Sequence, residues 1–435
     1  MEKSKKIYLD YASATPIESA ILKSMSDISK KYFANSSAIH ELGAEAKKVL
    51  EQARKDVSEI LGAHQDEIIF TSGATESNNL AILGLVKNFK NPHIITTNIE
   101  HASVLEVCKY LEKTKQAEVT YVPVGENGTV DPVEIRKALK LNTVLVSVMY
   151  ANNEIGTIQP IREIAKEIRY YKKTKHLAKF SRVLGLKPDQ LENFLDASFK
   201  IFPVFHTDAT QAINYLPINV EKLGIDLMSF NGSKIYGPKG VGVLFIKRKT
   251  PISKILFGGD QELGLRPGTE NLVNIVGLKE ALKITEKIKD KETKRLTKLR
   301  DFFIEKLYDL KNQNSKFSQV LGLGPDQLKN FNFDFLLNGD LKNRLPNNIN
   351  ITIPKIPSDL LVIELSARGV YVSEKSACKS GDGKASGVIK AIHPDLEETD
   401  GSLRFSLGRQ TTKTDIDYTF KSLFKILKKN KRWYN

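Results

Sequence analysis

The chain contains few of the residues that would assign it to a specialised class. Its 435 residues include only two cysteines and one tryptophan, and no run of 18 or more apolar residues occurs. Two cysteines exclude a disulfide framework and favour a reducing cytoplasm. Without a long apolar run, we expect no membrane-spanning helix and no membrane partner. The first residues are basic but no apolar stretch follows them, so a secretory signal peptide is not expected.

The charge of the chain is unbalanced towards the basic side, with 66 Lys and Arg against 51 Asp and Glu. The net charge of +15 is compatible with a nucleic-acid-binding surface. However, the lysines are spread along the chain, and their densest runs, 283–300 and 425–432, are typical of solvated helix faces. The sequence has no zinc-finger spacing, no RNP-like aromatic block and no Gly-Lys-Ser loop. We therefore expect no direct nucleic-acid partner and no metal site.

The distribution of apolar residues predicts an α/β fold. Between residues 67 and 247, short β-branched runs alternate with helical stretches, as in a mostly parallel sheet with helices on both sides. The clearest helix is Glu41–Leu61, whose apolar residues recur at steps of three and four, and Gly62 follows it as a natural stop. The seven strands predicted for this sheet are 68–70, 93–97, 119–122, 144–148, 204–206, 226–230 and 241–246.

After about residue 268 the pattern changes, and a smaller α+β domain is predicted. Its predicted elements are a long charged helix at 273–310, strands at 348–353, 370–373 and 402–406, and a final helix at 412–429. We expect the chain to divide into three parts. An N-terminal segment (1–15) packs with the small domain, and a large α/β domain (16–265) carries an insertion near 174–202. A small C-terminal domain (266–435) carries an insertion near 312–344 and a cysteine-bearing loop at about 374–400.

One sixteen-residue segment occurs twice, as KFSRVLGLKPDQLENF at 179–194 and as KFSQVLGLGPDQLKNF at 316–331. Both copies fall within the two insertions. A duplicated surface insertion explains the repeat, because surface loops tolerate added length at little cost in free energy. A docking element for a partner is the alternative, and the sequence leaves it open.

A polar segment, Thr-Ser-Gly-Ala-Thr-Glu-Ser at 71–77, separates the predicted strand 68–70 from a helix predicted at 78–87. Small hydroxyl residues and a glycine at a helix N-terminus can bind an anion, because backbone N–H groups and the helix dipole face it. The same residues also suit a simple helix cap. Both interpretations stay open.

Two charged residues lie just past predicted strands. Lys234 lies in a polar turn bracketed by Gly232 and Gly237, which suits a lysine that forms a Schiff base in a shielded site. A solvated surface lysine would fit the same pattern. Asp208 follows a buried strand, where a carboxylate needs a partner such as a protonated pyridine nitrogen, or else serves as a helix N-cap.

The two cysteines have different surroundings. Cys108 lies in the helical run 105–111, as a buried and unreactive cysteine does. Cys378 lies in a loop rich in Gly, Ser and Lys, and the nearby Lys375 and Lys379 favour a reactive thiolate.

Eight motifs, taken together and in order, resemble those of one enzyme family. They are TSGATESNN, EHASV, NNEIGTIQ, HTDATQ, KIYGPKG, LRPGTEN, SAC and LRFSLGR. The chain is similar to cysteine desulfurases of the NifS/IscS type, which are pyridoxal-phosphate (PLP) enzymes of fold type I in the class-V aminotransferase superfamily. The resemblance extends from residue 8 to residue 409 and omits the two insertions. It implies a large PLP-binding domain with a seven-stranded sheet and a small C-terminal domain.

The resemblance implies a role for each matching residue. Lys234 would hold PLP as a Schiff base and later take up the substrate Cα proton, and Asp208 would keep the pyridine nitrogen protonated. His101 would stack on the cofactor ring and help with proton transfer. Arg404 would pair with the substrate carboxylate. Cys378 would attack the sulfur of L-cysteine, which gives L-alanine and a persulfide. Further expected contacts are Ala74, Thr75, Asn153, Gln211, Asn231 and Ser233 with the cofactor, Thr269 with the phosphate of the other subunit of a homodimer, and Asn35 with the substrate.

Some positions depart from the usual pattern of that family. Ser233 stands where a histidine usually precedes the lysine, and Asn231 stands where a serine contacts the phosphate. The early Asn-Pro-x-Ser-x-His motif is Asn-Ser-Ser-Ala-Ile-His at 35–40, and Asp260 and Leu263 replace a glycine and an arginine. Because Ser233 and Asn231 still donate hydrogen bonds, PLP binding is expected to persist.

The function expected from the resemblance is sulfur supply for iron–sulfur clusters, with tRNA thiolation as a further use. Sulfur acceptors would be a scaffold protein or a tRNA-thiolation enzyme in the cytoplasm. A selenocysteine lyase or an aminotransferase of the same fold is an alternative enzyme, and a scaffold without turnover is an alternative of another class. Transamination needs no thiol such as Cys378, and a scaffold needs neither Lys234 nor Asp208.

Overall fold

The structure is a computed structural model that describes residues 6–173, 202–312, 334–374, 386–397 and 400–430. Both copies of the repeat and the expected reactive Cys378 lie outside the described residues. The strands are β1 (Ile7–Tyr8), β2 (Ile68–Thr71), β3 (His93–Thr97), β4 (Glu118–Val122), β5 (Thr143–Ser147), β6 (Val204–Asp208), β7 (Leu227–Asn231), β8 (Gly242–Ile246), β9 (Leu336–Leu337), β10 (Asn348–Ile353), β11 (Val370–Tyr371) and β12 (Gly401–Ser406). The α-helices are α1 (Ser19–Lys31), α2 (Glu41–Leu61), α3 (Ala74–Val86), α4 (Ala102–Lys113), α5 (Pro132–Ala138), α6 (Ile161–Tyr171), α7 (Val220–Leu223), α8 (Leu272–Lys311), α9 (Ser358–Ser366), α10 (Gly387–Ile392) and α11 (Lys413–Lys429).

Seven strands form the main sheet, in the order β2-β8-β7-β6-β5-β3-β4. Strand β8 runs antiparallel to β2 and β7, and the other neighbouring pairs are parallel. These strands are buried along most of their length, because helices cover both faces. The predicted seven-stranded, mostly parallel sheet is therefore confirmed. In such a sheet, residues that follow the carboxyl ends of parallel strands meet at one edge.

A second part of the chain carries a three-stranded antiparallel sheet, β12-β10-β9. The N-terminal strand β1 pairs in parallel with β11, and Asp10 continues this pairing by a backbone bridge to Ser406 in β12. The start of the chain thus lies against the later sheet, where it can contribute side chains to a site shared with β12. The division into domains at residues 15 and 265 stays a prediction.

Two elements differ from the sequence prediction. Helix α3 begins at Ala74 rather than at residue 78, because Ser77 N–H already donates to the Gly73 carbonyl at 3.0 Å and the Glu76 side chain accepts from Ser72 N–H at 2.8 Å. Strand β11 ends at Tyr371 rather than at residue 373. Ser373 instead exchanges backbone hydrogen bonds with Arg404 as an isolated bridge.

The described helices include none that is long and apolar enough to cross a membrane. The 40-residue helix α8 packs on α1, α2 and α11 instead, with buried residues such as Leu278, Phe303 and Leu307.

Candidate active site

A cavity of about 210 Å³ lies where the carboxyl ends of the parallel strands face the later sheet. Residues from β6, β7, β12, from helix N-termini and from the first residues of the chain line it together. Nine of the predicted site residues are among its lining: Ala74, Thr75, His101, Asn153, Asp208, Gln211, Asn231, Lys234 and Arg404. Arg404 is one of these lining residues, and it donates a hydrogen bond to Asp10, which is 394 positions away in the sequence.

Three predicted site residues do not line the cavity. Ser233 lies beside it and donates its hydroxyl to Asn231 Oδ1 at 3.2 Å. Asn35 and Thr269 are exposed to solvent. The expected contact of Thr269 across a dimer stays a prediction.

Lys234 is fixed in the tight turn that follows β7. Gly232 permits this turn, because a Cβ at that position would lie 2.6 Å from the Pro238 carbonyl oxygen. The side-chain amide of Asn214 donates to the Lys234 carbonyl, and the Lys234 ammonium donates to the Ser13 carbonyl. The Asn214 contact fixes the backbone of the turn, and the Ser13 contact places the amine at the cavity wall.

Asp208 ends β6 and is 6% exposed. Its two carboxylate oxygens accept from the Asn78 side-chain amide at 2.8 Å and from Thr210 N–H at 2.9 Å. No salt bridge involves Asp208 within the described ranges. A buried carboxylate with only neutral donors is a strong acceptor for a cationic N–H group placed in the cavity.

Titratable groups buried behind the cavity have displaced pKa values. Burial raises the pKa of the Glu100 carboxyl to about 8, even though it accepts from Thr97 Oγ1 and from Met149 N–H. Burial lowers the pKa of His206 to about 4, and its ring lies between Ser147 and Ser229 hydroxyls. Burial therefore favours the uncharged form of both groups.

Arg404 reaches the cavity from β12 and is 1% exposed. Its Nη1 donates to the Asn153 carbonyl at 2.9 Å, and its Nη2 donates to Asp10 Oδ1 at 2.8 Å and to Ser13 Oγ at 2.7 Å. Its Nε is buried and has no hydrogen-bond partner among the described atoms. An incoming carboxylate at Arg404 must therefore share the guanidinium with Asp10 or displace it.

Cys108 lies in α4 and is fully buried. Burial, with smaller contributions from Glu100 and Glu112, raises the pKa of its thiol to about 12. At neutral pH this cysteine is a thiol without access to the cavity, so it does not supply a nucleophile.

The donors and acceptors of the cavity fit pyridoxal phosphate. The first turn of α3 offers backbone N–H groups near Ala74 and Thr75 for a phosphate. Gly242 keeps this turn close to β8, since a Cβ there would lie 2.6 Å from the Gly73 carbonyl carbon. Asp208 suits a protonated pyridine nitrogen, and the guanidinium of Arg404, which lines the cavity, suits a carboxylate.

The sequence matches one protein-family model, described as aminotransferase class-V, over residues 7–179 and 174–419. The chain belongs to the class-V aminotransferase family. This assignment, with the relatives below, confirms the expected resemblance, the enzyme class and the PLP cofactor that proteins of this family use.

Known relatives share nearly the full length of the chain. A protein of Dictyoglomus turgidum named cysteine desulfurase IscS is 40% identical over 427 residues, which are 98% of this chain and 95% of that protein. A solved structure named NIFS-like protein superposes with a TM-score of 0.80 at 32% identity and covers 98% of this chain and 100% of that one. A structure described as SspA in complex with cysteine has a TM-score of 0.68 at 30% identity, over 93% and 99% of the two chains.

Sequence reasoning missed four side chains of the site. Asp10 and Ser13 hold Arg404, and Asn78 and Ser103 connect Asp208 with His101. Asn78 gave no usable signal, because the predicted helix began at this residue, where an asparagine is common, and its burial follows only from the fold. Asp10 gave no signal either, since only folding brings it to β12.

Proposed function

We propose that this enzyme is a cysteine desulfurase that converts L-cysteine to L-alanine and leaves a persulfide on Cys378. In this reaction the C–S bond of cysteine breaks and an S–S bond to Cys378 forms, so one thiol becomes one persulfide and no external oxidant is needed. The observation that carries the proposal is the single cavity in which Lys234, Asp208 and Arg404 meet.

The chain's own groups divide the work of this reaction. Pyridoxal phosphate supplies an electron sink for the substrate when it is bound. Asp208 holds a proton on the ring nitrogen of that group, and the first turn of α3 binds its phosphate. Lys234 Nζ is the amine that takes the proton from the substrate Cα, since it is the lysine of the cavity lining.

Arg404 orients the substrate through its carboxylate. Its guanidinium is buried at the cavity wall, where a charge-assisted hydrogen bond is stronger than in water. Asn153 contributes indirectly, because its carbonyl accepts from Arg404 Nη1 and fixes the plane of the guanidinium.

The described residues on both sides of segment 375–385, which contains Cys378, contact residues of the cavity wall or their neighbours. On one side Ser373 exchanges backbone hydrogen bonds with Arg404. On the other side Ser386 donates its hydroxyl to Glu154, the neighbour of the cavity residue Asn153. In the sequence, Cys378 follows the described Glu374 by four residues.

We further propose that the enzyme is a cytoplasmic homodimer. The exposed apolar side chains of Phe33, Ile39 and Leu263 are 74%, 103% and 59% exposed. Ser36 donates to Glu270 at 2.8 Å, which joins the two segments that carry them. This surface adjoins Thr269, the residue expected to reach the partner's phosphate.

An iron–sulfur scaffold protein or a tRNA-thiolation enzyme would accept the sulfur.

The test is single-turnover formation of alanine from L-cysteine by the PLP-loaded enzyme. We expect one alanine per site in the wild type and in Cys108→Ala, and none in Cys378→Ala. Cys108→Ala is the matched control, because it removes the other cysteine without touching the cavity. A wild type that carries PLP and forms no alanine would contradict the proposed substrate.

A further inference from the structure

A continuous chain of hydrogen bonds connects Asp208 to His101, and it is buried from Asp208 to Ser103. The Asn78 side-chain amide donates to Asp208 Oδ2 at 2.8 Å and to Ser103 Oγ at 2.8 Å. Ser103 Oγ lies 2.8 Å from His101 Nδ1. Asn78 and Ser103 are 0% and 8% exposed, so water hardly competes for the two hydrogen bonds of the Asn78 amide.

The direction of each hydrogen bond follows from chemistry. A carboxylate only accepts, so Asn78 must direct Nδ2 towards Asp208. The second N–H of the same amide donates to Ser103 Oγ, and Asn78 Oδ1 has no partner among the described atoms. Ser103 Oγ therefore accepts from Asn78, and its own hydrogen is available for His101 Nδ1.

A second contact fixes the same ring atom. His101 is the N-cap of α4, and its Nδ1 accepts from Ser103 N–H at 3.1 Å. A proton on Nδ1 would oppose this donor, so the hydrogen-bond pattern assigns the proton of the neutral ring to Nε2. The ring lines the cavity, and Nε2 has no partner within the described ranges.

We propose that Asn78 and Ser103 are positioning residues that hold His101 in the neutral Nε2–H tautomer, so that His101 meets its ligand as a hydrogen-bond donor and not as a base. A base needs an unprotonated nitrogen that faces the ligand. The unprotonated nitrogen of His101 is Nδ1, which instead contacts the Ser103 hydroxyl and backbone N–H at the start of α4. This role differs from the proton transfer that the resemblance implies, and it leaves Lys234 as the base. The proposal deepens the proposed function, and it rests on that function only for the identity of the ligand.

The first test measures the tautomer without substrate. The PLP-loaded enzyme is labelled with ¹⁵N-histidine, and the His101 signals among the seven histidines are assigned by their loss in His101→Gln. We expect a protonated Nε2 and an unprotonated Nδ1 at neutral pH. A protonated Nδ1 overturns the proposal. Because no turnover is measured, this outcome is independent of whether cysteine is the substrate.

The second test separates the donor from the base by two amide substitutions. In His101→Gln the amide N–H can occupy the position of Nε2, whereas in His101→Asn the side chain can still cap α4 but is too short to reach that position. We expect kcat of His101→Gln to exceed that of His101→Asn and of His101→Ala by about tenfold, the value of one hydrogen bond in a shielded site. Equal losses in all three variants contradict the donor role.

The third test addresses Ser103 and Asn78 themselves. We expect Ser103→Ala and Asn78→Ala to shift the His101 Nδ1 resonance and to lower kcat with KM nearly unchanged. Ser103→Thr keeps the hydroxyl and should restore the resonance and kcat. If the Nδ1 resonance is the same in the wild type and in both alanine variants, the chain does not position His101. If either alanine variant fails to fold, the tautomer of the wild type still decides the question.

Discussion

The contact between Asp10 and Arg404 makes the most informative prediction about substrate binding. The Arg404 side chain is 2% exposed and that of Asp10 is 18% exposed, and their charged atoms are 2.8 Å apart. Asp10 therefore occupies the group that should bind the substrate carboxylate. We expect Asp10→Asn to bind carboxylate ligands more tightly than the wild type, because the neutral amide competes less for the guanidinium.

The size of this effect follows from the electrostatics. Two unit charges about 4 Å apart interact by about 4 kcal/mol at an effective dielectric constant near 20. Asp10 is partly exposed, and the substrate can share Arg404 with it. We therefore expect about a third of this interaction energy to appear as a gain in the free energy of carboxylate binding. A gain of about 1.4 kcal/mol corresponds to roughly tenfold tighter binding. The unliganded protein should lose about 1–3 kcal/mol of stability, because Arg404 then lacks a full counter-charge.

The assay is a titration of the PLP-loaded enzyme with L-alanine, followed by the cofactor absorbance, together with thermal unfolding. Ser13→Ala is the matched control, since it removes a neutral acceptor from the same Nη2 atom and leaves the charge of Asp10 in place. We expect Ser13→Ala to change alanine affinity by less than about threefold. Weaker alanine binding by a folded Asp10→Asn would refute the reasoning and make Asp10 a supporting residue.

Two further predictions concern stability. Arg54 and Glu262 form a buried two-bond ion pair at 2.8 and 2.9 Å, whereas Arg248 and Asp66 form one of similar geometry at an exposed position. Glu262→Gln should cost about 3–5 kcal/mol in chemical denaturation and Asp66→Asn less than about 1 kcal/mol, and equal costs would contradict the role of burial. Burial lowers the pKa of His206 to about 4, so the unfolded chain binds more protons between pH 6.5 and 4 and the folded state loses stability as the pH falls through this window. His206→Gln should weaken the fall in Tm between pH 7 and pH 5, and an unchanged fall would exclude His206 as a cause.

The sequence predicts the elements of the fold well where one physical pattern dominates. Helix α2 has the predicted bounds Glu41–Leu61. Its apolar stripe ends just before Gly62, which adopts a left-handed conformation and stops the helix. The predicted start of α3 at residue 78 was wrong. The first helical hydrogen bond joins Ser77 N–H to the Gly73 carbonyl, in a segment whose residues have weak helix propensity and so gave no helical signal.

The predicted site residues were found through motifs, and nine of them line one cavity. The partners that hold them were not predicted, because Asp10 meets Arg404 only after β1 has paired with β11. Asn78 and Ser103 belong to the motifs TSGATESNN and EHASV, but the sequence assigned neither of them a role. Their link to Asp208 nevertheless depends on the packing of α3 against both β6 and α4, which no local pattern encodes.

The central claim is that Cys378 receives the sulfur of L-cysteine, and peptide mass spectrometry tests it most directly. The PLP-loaded enzyme is mixed with one equivalent of L-cysteine, trapped with an alkylating reagent and digested. The account predicts a gain of one sulfur atom on the peptide that contains Cys378 and none on the peptide that contains the buried Cys108. Alanine release without added sulfur on Cys378, or with the sulfur on Cys108, would contradict it.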